Sequence, residues 1–309
     1  MSDNAITQFD ARQSFAATRA QNDMQLVESW LASMGSPISR SRFATTVEVF
    51  LACLSERGLT LREMTVEDMR ECTADMISKS KVKTRSSERQ YMARVKALVT
   101  YAHKLGYLRF NAGTPIKMVH YNSGLAQRIL TEMQVGLLIR SAPTPRSRLL
   151  IEVAYFGGLR VSELTALTWS SVIDRGDGAV QISVLGKGEK VRQVMLPPAI
   201  GRKLLGWRSE AGDSAPLFAS RNGRHLLPRE INRVLKKAAR KAGVNEAVSA
   251  HWLRHAHASH ALARGASLAD VKDMLGHTNV ATTSLYLHAR PDRSSAYVLD
   301  TGIITGDET

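Results

Sequence analysis

The sequence predicts a mainly α-helical protein with a small β-sheet, arranged as an N-terminal helical domain followed by a C-terminal α+β domain. Three observations predict it. Apolar residues recur at three- and four-residue steps through most of the chain, one pair of short runs alternates instead, and a stretch containing Gly and Pro without an apolar period separates two periodic halves. At 309 residues the chain has room for two domains, each burying its own core.

Residues 1–20 read as a polar tail. Helices are expected over 22–34, 40–57, 66–78 and 85–105, forming a domain over 21–112. In the last helix Tyr91, Val95, Leu98, Ala102 and Leu105 mark one stripe that must be buried against its neighbours. Residues 113–129, with Gly113, Pro115 and Gly124, read as a linker. A second domain over 130–290 resumes with helices at 131–141, 146–157 and 161–167. The period then changes: Val180, Ile182 and Val184 alternate, as do Arg192, Val194 and Leu196, around a Gly186-Lys187-Gly188 turn. That pattern predicts a β-hairpin in a small sheet. Helices are expected again at 198–208, 228–242, 252–264, 267–275 and 279–286, with 291–309 as a tail.

Composition narrows the function. Forty-two Lys and Arg against 28 Asp and Glu give a formal charge of +14, which favours a polyanionic partner, while a hydrophobic content of 44% excludes a mainly disordered basic chain. Cys53 and Cys72 are the only cysteines, too few for a disulfide framework or a four-cysteine zinc site. The opening residues lack a secretory pattern and no apolar run is long enough to span a bilayer, so a cytoplasmic location without membrane association is expected.

The positive charge is concentrated. Residues 79–96 carry Lys79, Lys81, Lys83, Arg85, Arg89, Arg94 and Lys96 against Glu88; residues 229–241 carry Arg229, Arg233, Lys236, Lys237, Arg240 and Lys241 against Glu230. A basic run is ordinarily only a solvated face. Two such runs on separate domains predict a clamp on double-stranded DNA, with Lys79, Lys81, Lys83, Arg85, Arg89, Arg233, Lys236, Lys237 and Arg240 as candidate phosphate contacts.

Chemistry-bearing residues gather in 251–289. His251 and Arg254 are three apart and share a helical face, His277 follows in Leu-Gly-His, and Tyr286 stands nine residues further on. A zinc site from His251, His255, His257 and His260 is one reading of the histidines, but no carboxylate accompanies them and Arg254 would repel a cation. Metal-free phosphoryl transfer is the better reading. Guanidinium groups stabilise negative charge on non-bridging phosphate oxygens, and a phenol, whose free pKa is about 10, is made more reactive among cations and leaves readily in the reverse step.

The box Gly158-Leu159-Arg160-Val161-Ser162-Glu163-Leu164, the hairpin Lys187, His251-x-x-Arg254, Leu275-Gly276-His277 and Tyr286 occur in an order that resembles the tyrosine recombinase, or phage integrase, family, in particular its Xer-like two-domain members. The resemblance spans about 160–289. It implies an N-terminal core-binding domain of SAM-like fold and a C-terminal catalytic domain. It also implies that Tyr286 attacks a DNA phosphate to form a 3′-phosphotyrosyl link without metal, ATP or other cofactor. Arg160 and Arg254 are then expected to hold the non-bridging oxygens and Lys187 to protonate the leaving 5′-oxygen. His251 is expected to donate a hydrogen bond or take the tyrosine proton, His277 to contact the phosphate, and Glu163 to buttress Arg160.

A homotetramer on DNA, or a heterotetramer with a related recombinase, is implied, because exchange of two duplexes needs four cuts. His255, His257, His260 and His288 are read as packing or incidental, and Tyr297 as too far along the tail to be the nucleophile. Two positions depart from the family pattern: His257 replaces an aromatic or apolar residue, and Ser171 stands where Asp is usual. A type IB topoisomerase-like relaxing enzyme and a non-catalytic architectural DNA-binding protein are the alternatives.

Overall fold

The computed structural model describes residues 17–79, 84–118, 124–186, 190–208, 212–277 and 279–289. The chain separates into two compact units, one within 1–123 and one within 124–309.

The first unit consists of α1 (Asp23–Ala32), α2 (Pro37–Glu56), α3 (Val66–Lys79) and α4 (Arg85–Lys104). Their starts are written in side chains. Asn22 accepts the Gln25 N–H at 3.0 Å, Ser36 precedes Pro37 at the first helical position, and Thr84 accepts the Ser87 N–H. The apolar stripe of α4 is buried as its period requires, with Val95, Leu98 and Ala102 inside and Tyr91 and Leu105 packed at the margin. They meet Leu26, Trp30, Phe50, Leu54 and Met69 from the other three helices.

The basic run 79–96 is not one surface. Lys79 ends α3 and pairs with Glu56 at 3.4 Å, whereas Arg85 and Arg89 lie exposed on the first turns of α4. Lys81 and Lys83 fall outside the described residues. Arg94 donates to the Thr46 hydroxyl at 2.8 Å and Lys96 to the Ile116 carbonyl at 2.6 Å, so these two cations serve the unit's own fold.

The second unit begins with a 3-10 turn at Ala126–Arg128, followed by α5 (Glu132–Arg140), α6 (Pro145–Phe156) and α7 (Val161–Ala166). A three-stranded antiparallel sheet comes next: β1 (Val172–Asp174), β2 (Val180–Leu185) and β3 (Val191–Leu196), in the order β1-β2-β3. The expected hairpin pairs Val180 with Leu196 and Ile182 with Val194. The short β1 was not expected, being three residues without a full alternation. The unit closes with α8 (Pro198–Leu205), α9 (Pro228–Ala242), α10 (Ala250–Ala263), α11 (Leu268–Leu275) and α12 (Val280–Ala289). Its core joins Leu150, Ile151 and Val153 of α6, the inward face of the sheet, Leu235 and Ala238 of α9, and Leu253 and Ala256 of α10. The tail 291–309, with Tyr297, lies outside the described residues. Among those described, no helix is long and apolar enough to cross a membrane.

Candidate active site

The site is organised by the end of α11. Gly276 terminates that helix in the left-handed conformation (φ 63°), leaving the last carbonyls without intrahelical partners and with the partial negative charge of a helix C-terminus. Three guanidiniums take them. Arg192 Nε donates to the Met274 carbonyl at 2.7 Å, Arg254 Nη2 to that of Leu275, and Arg160 Nη2 to that of Gly276 at 3.2 Å.

One carboxylate lies among the three arginines. Glu163, three residues into the turn that Arg160 opens, accepts the Arg160 backbone N–H at 2.8 Å and Arg160 Nη1 at 2.7 Å, and receives both terminal nitrogens of Arg192 at 2.8 Å. Arg254 Nη1 stands 3.8 Å away. Burial alone would raise the Glu163 pKa, but hydrogen bonds from Arg192 and Arg160 outweigh it and draw it down to about 2. Three cations against one anion leave the cluster with surplus positive charge, suited to an anionic ligand.

Arg254 is 1% exposed. Its Nη1 donates to the Gly158 carbonyl at 2.7 Å, and burial followed by repulsion from Arg160 lowers its pKa to about 10. Gly158 makes that approach possible: its φ is +55°, and a Cβ there would come within 2.9 Å of the His257 ring and 3.0 Å of Leu275.

Tyr286 comes to the same place from α12. Its ring packs with Ile129, Ala258, Val271 and Leu275, is 4% exposed, and stacks on His277 with centroids 6.4 Å apart. Ile129 belongs to the stretch read as linker, so the end of that stretch helps build the nucleophile's pocket. The Tyr286 hydroxyl meets His255 Nδ1 at 2.7 Å. Burial raises its pKa, and the opposing pull of Arg254 and Arg160 does not overcome it. The expectation of a phenol acidified by cations is therefore corrected for this state, because the pocket that gathers the cations also removes the water.

His251 lies one turn before His255, with ring centroids 4.0 Å apart. Partial loss of water and the charges of Arg254, Arg128 and Arg160 lower its pKa. His277 Nδ1 pairs with the Thr283 hydroxyl at 2.9 Å, and burial with Arg254 and Arg160 pushes its pKa to about 4. Both imidazoles are therefore neutral near pH 7.

Of the predicted catalytic residues, Arg160, His251, Arg254, His277, Tyr286 and the supporting Glu163 converge, whereas Lys187 lies outside the described residues. Two further residues belong to the cluster. Arg192 carried a legible signal: it shares the inward register of β3 with Val194 and Leu196, an odd place for a cation without a buried partner. His255, read as packing, holds the tyrosine hydroxyl; nothing in its local spacing marks it.

His257 and His260 sit on another face of α10, where His260 Nδ1 meets the Tyr155 hydroxyl at 2.9 Å. The side chain of His288 is outside the described residues. Among those described, no group of three or more His, Cys, Asp or Glu side chains is placed to hold a metal. Elsewhere on the unit, α9 buries Ile231, Leu235, Ala238 and Ala239 and exposes Arg233, Lys236, Lys237 and Arg240. Arg240 pairs with Glu246 at 2.8 Å and Arg233 lies 3.8 Å from Glu230, so both are partly engaged at the surface.

Comparison with known proteins identifies the family. The chain is 32% identical over 222 residues to the tyrosine recombinase XerC of Corynebacterium glutamicum, covering 68% of this chain and 70% of that protein. It is 27% identical over 229 residues to XerC of Thermodesulfovibrio yellowstonii, covering 70% and 74%. The fold matches the crystal structure of the XerH site-specific recombinase bound to palindromic difH substrate in a post-cleavage complex, with a TM-score of 0.70 at 21% identity, covering 87% of this chain and 82% of that one. Residues 128–293 match the phage integrase family, and the chain belongs to it as a tyrosine recombinase.

Proposed function

We infer that the pocket breaks and remakes DNA strands through a covalent bond between Tyr286 and a 3′-phosphate. The protein is a site-specific DNA recombinase. The reading of its residues rests on one observation: the buried Tyr286 packs with Leu275, whose carbonyl Arg254 takes, and its hydroxyl bonds His255, the residue after Arg254, beside a cluster with surplus positive charge.

Tyr286 attacks the phosphorus and releases a 5′-hydroxyl. Arg160, 33% exposed at its side chain, is the guanidinium open to an incoming phosphate, and Arg254 lies beneath it. Glu163 and Arg192 do not touch DNA; they fix the orientation of Arg160. His251 and His277 are neutral hydrogen-bonding groups at the rim, and Lys187 is the acid that protonates the leaving oxygen. The phosphotyrosyl bond conserves the energy of the broken phosphodiester, so rejoining needs no nucleotide. The duplex is held by the exposed cations of α9 together with Lys79, Lys81, Lys83, Arg85 and Arg89, and the active assembly is a tetramer on DNA, acting in the cytoplasm.

The test uses nicked suicide duplexes drawn from a random-sequence pool. The wild-type protein forms an SDS-stable adduct whose linked peptide contains Tyr286, while Tyr286→Phe lowers adduct yield at least about 10³-fold and leaves DNA affinity within about threefold. A Tyr286→Phe protein that still forms adduct removes the reading. Recombinant products from a substrate with two selected sites exclude relaxation alone.

A further inference from the structure

Attack by Tyr286 requires its hydroxyl to lose a proton, and an acceptor lies beside it. His255 follows Arg254 on α10, and its buried ring lies between His251, with centroids 4.0 Å apart, and Tyr286, with centroids 5.4 Å apart. Its Nδ1 is 2.7 Å from the Tyr286 hydroxyl. The other imidazole against that tyrosine, His277, stacks on its ring and commits Nδ1 to Thr283. His251, for which the family resemblance implies either hydrogen-bond donation or uptake of that proton, contacts the His255 ring.

Resting on the strand-transfer reading, we propose that His255 Nδ1 takes the proton of the Tyr286 hydroxyl during cleavage and returns it during rejoining. In cleavage the Oη–H bond breaks and an Nδ1–H bond forms. The released electron pair makes the Oη–P bond, the P–O5′ bond breaks, and the leaving oxygen receives a proton from Lys187. Rejoining reverses each transfer: the 5′-hydroxyl gives its proton to the neutral lysine, attacks phosphorus and expels Oη, which recovers its proton from the His255 imidazolium. No oxidant, reductant or outside proton is consumed.

The surroundings make this base conditional on substrate. The groups facing His255 are His251 and Arg254 on α10, Arg128 on the 3-10 turn, His277 ahead of α12, and Tyr286 itself. Burial and the positive members of that set push the His255 pKa to about 3, so the resting ring is a weak base and the phenol keeps its proton. A phosphodiester docked on the partly exposed Arg160 brings a compensating negative charge and raises the basicity of the ring. Proton transfer is thereby confined to the DNA-bound state.

The experiment measures single-turnover adduct formation by the full chain on the selected suicide duplexes between pH 6 and 10. It compares wild type, Tyr286→Phe, His255→Asn and His255→Ala, with thermal melting and DNA binding as controls. The Asn amide oxygen keeps an acceptor near the Nδ1 position but cannot carry the proton. The expected result is an adduct rate for His255→Asn about 10²-fold slower near pH 7, a deficit that narrows toward pH 10 as the phenol ionises unaided, and partial rescue of His255→Ala by free imidazole. An Asn variant as fast as wild type or faster overturns the proposal and makes the bond a resting latch. An equal deficit at every pH without imidazole rescue also overturns it, leaving His255 a positioning residue. If wild type forms no adduct, or Tyr286→Phe forms one, the strand-transfer reading fails first and this proposal with it.

Discussion

Two groups of basic residues in the second unit are built on opposite principles. Arg160, Arg192 and Arg254 are ordered against three helix-end carbonyls and one carboxylate, and Arg254 is wholly enclosed. The cations of α9 stand in solvent, opposite a buried apolar face, with at most a surface partner. Burying a guanidinium costs several kcal/mol unless every nearby acceptor is aimed at it, so the first group exists only because the fold surrounds it. The second group costs the fold little and acts through a field that salt screens. Orientation belongs to the chemistry, and exposed charge belongs to affinity.

That contrast is sharpest at Arg254. Arg254→Ala is expected to cost about 3–5 kcal/mol in denaturant unfolding, because two carbonyls lose a buried donor and Glu163 a nearby countercharge, and to abolish adduct formation. Arg254→Lys should remain inactive even if folded, since one ammonium cannot reproduce the two-directional fork.

Glu163 comes next. Its folded pKa of about 2 lies below the ordinary glutamate value of 4.5, so its stabilisation is fully present above pH 4.5 and is lost as pH falls toward 2. The difference corresponds to about 3 kcal/mol. Glu163→Gln should therefore lose about that much at pH 7 and flatten the acid limb of the stability-versus-pH curve; an unchanged acid limb would place the carboxylate's worth elsewhere.

Gly158→Ala should cost about 2 kcal/mol, from a left-handed backbone and the approach of His257, with slower adduct formation as the Arg254 acceptor shifts. The smallest effect on the fold is expected on α9. Lys236→Ala combined with Lys237→Ala should leave stability within about 0.5 kcal/mol and the adduct rate at saturating DNA near wild type, while reducing the slope of log affinity against log salt by about 2. Loss of adduct at saturation would erase the proposed division between the two groups.

Much of the fold was legible because its signals are local. The stripe through Val95, Leu98 and Ala102 and the alternation of Val180, Ile182 and Val184 are each written within a few residues. The order of Arg160, His251, Arg254, His277 and Tyr286 pointed to the family for a similar reason: a motif is a statement about spacing. Arg192 was half legible, as a cation in an inward register whose partner lies 29 residues away.

The sequence by itself determined the helical class, the small sheet, the excess positive charge and the residue types brought to the phosphate. Which imidazole meets the tyrosine, which carbonyls restrain each arginine, and whether the phenol is acidified or protected were decided only by tertiary structure. Those outcomes depend on distance and burial between α7, β3, α10, α11 and α12, and short-range patterning along a chain carries neither quantity.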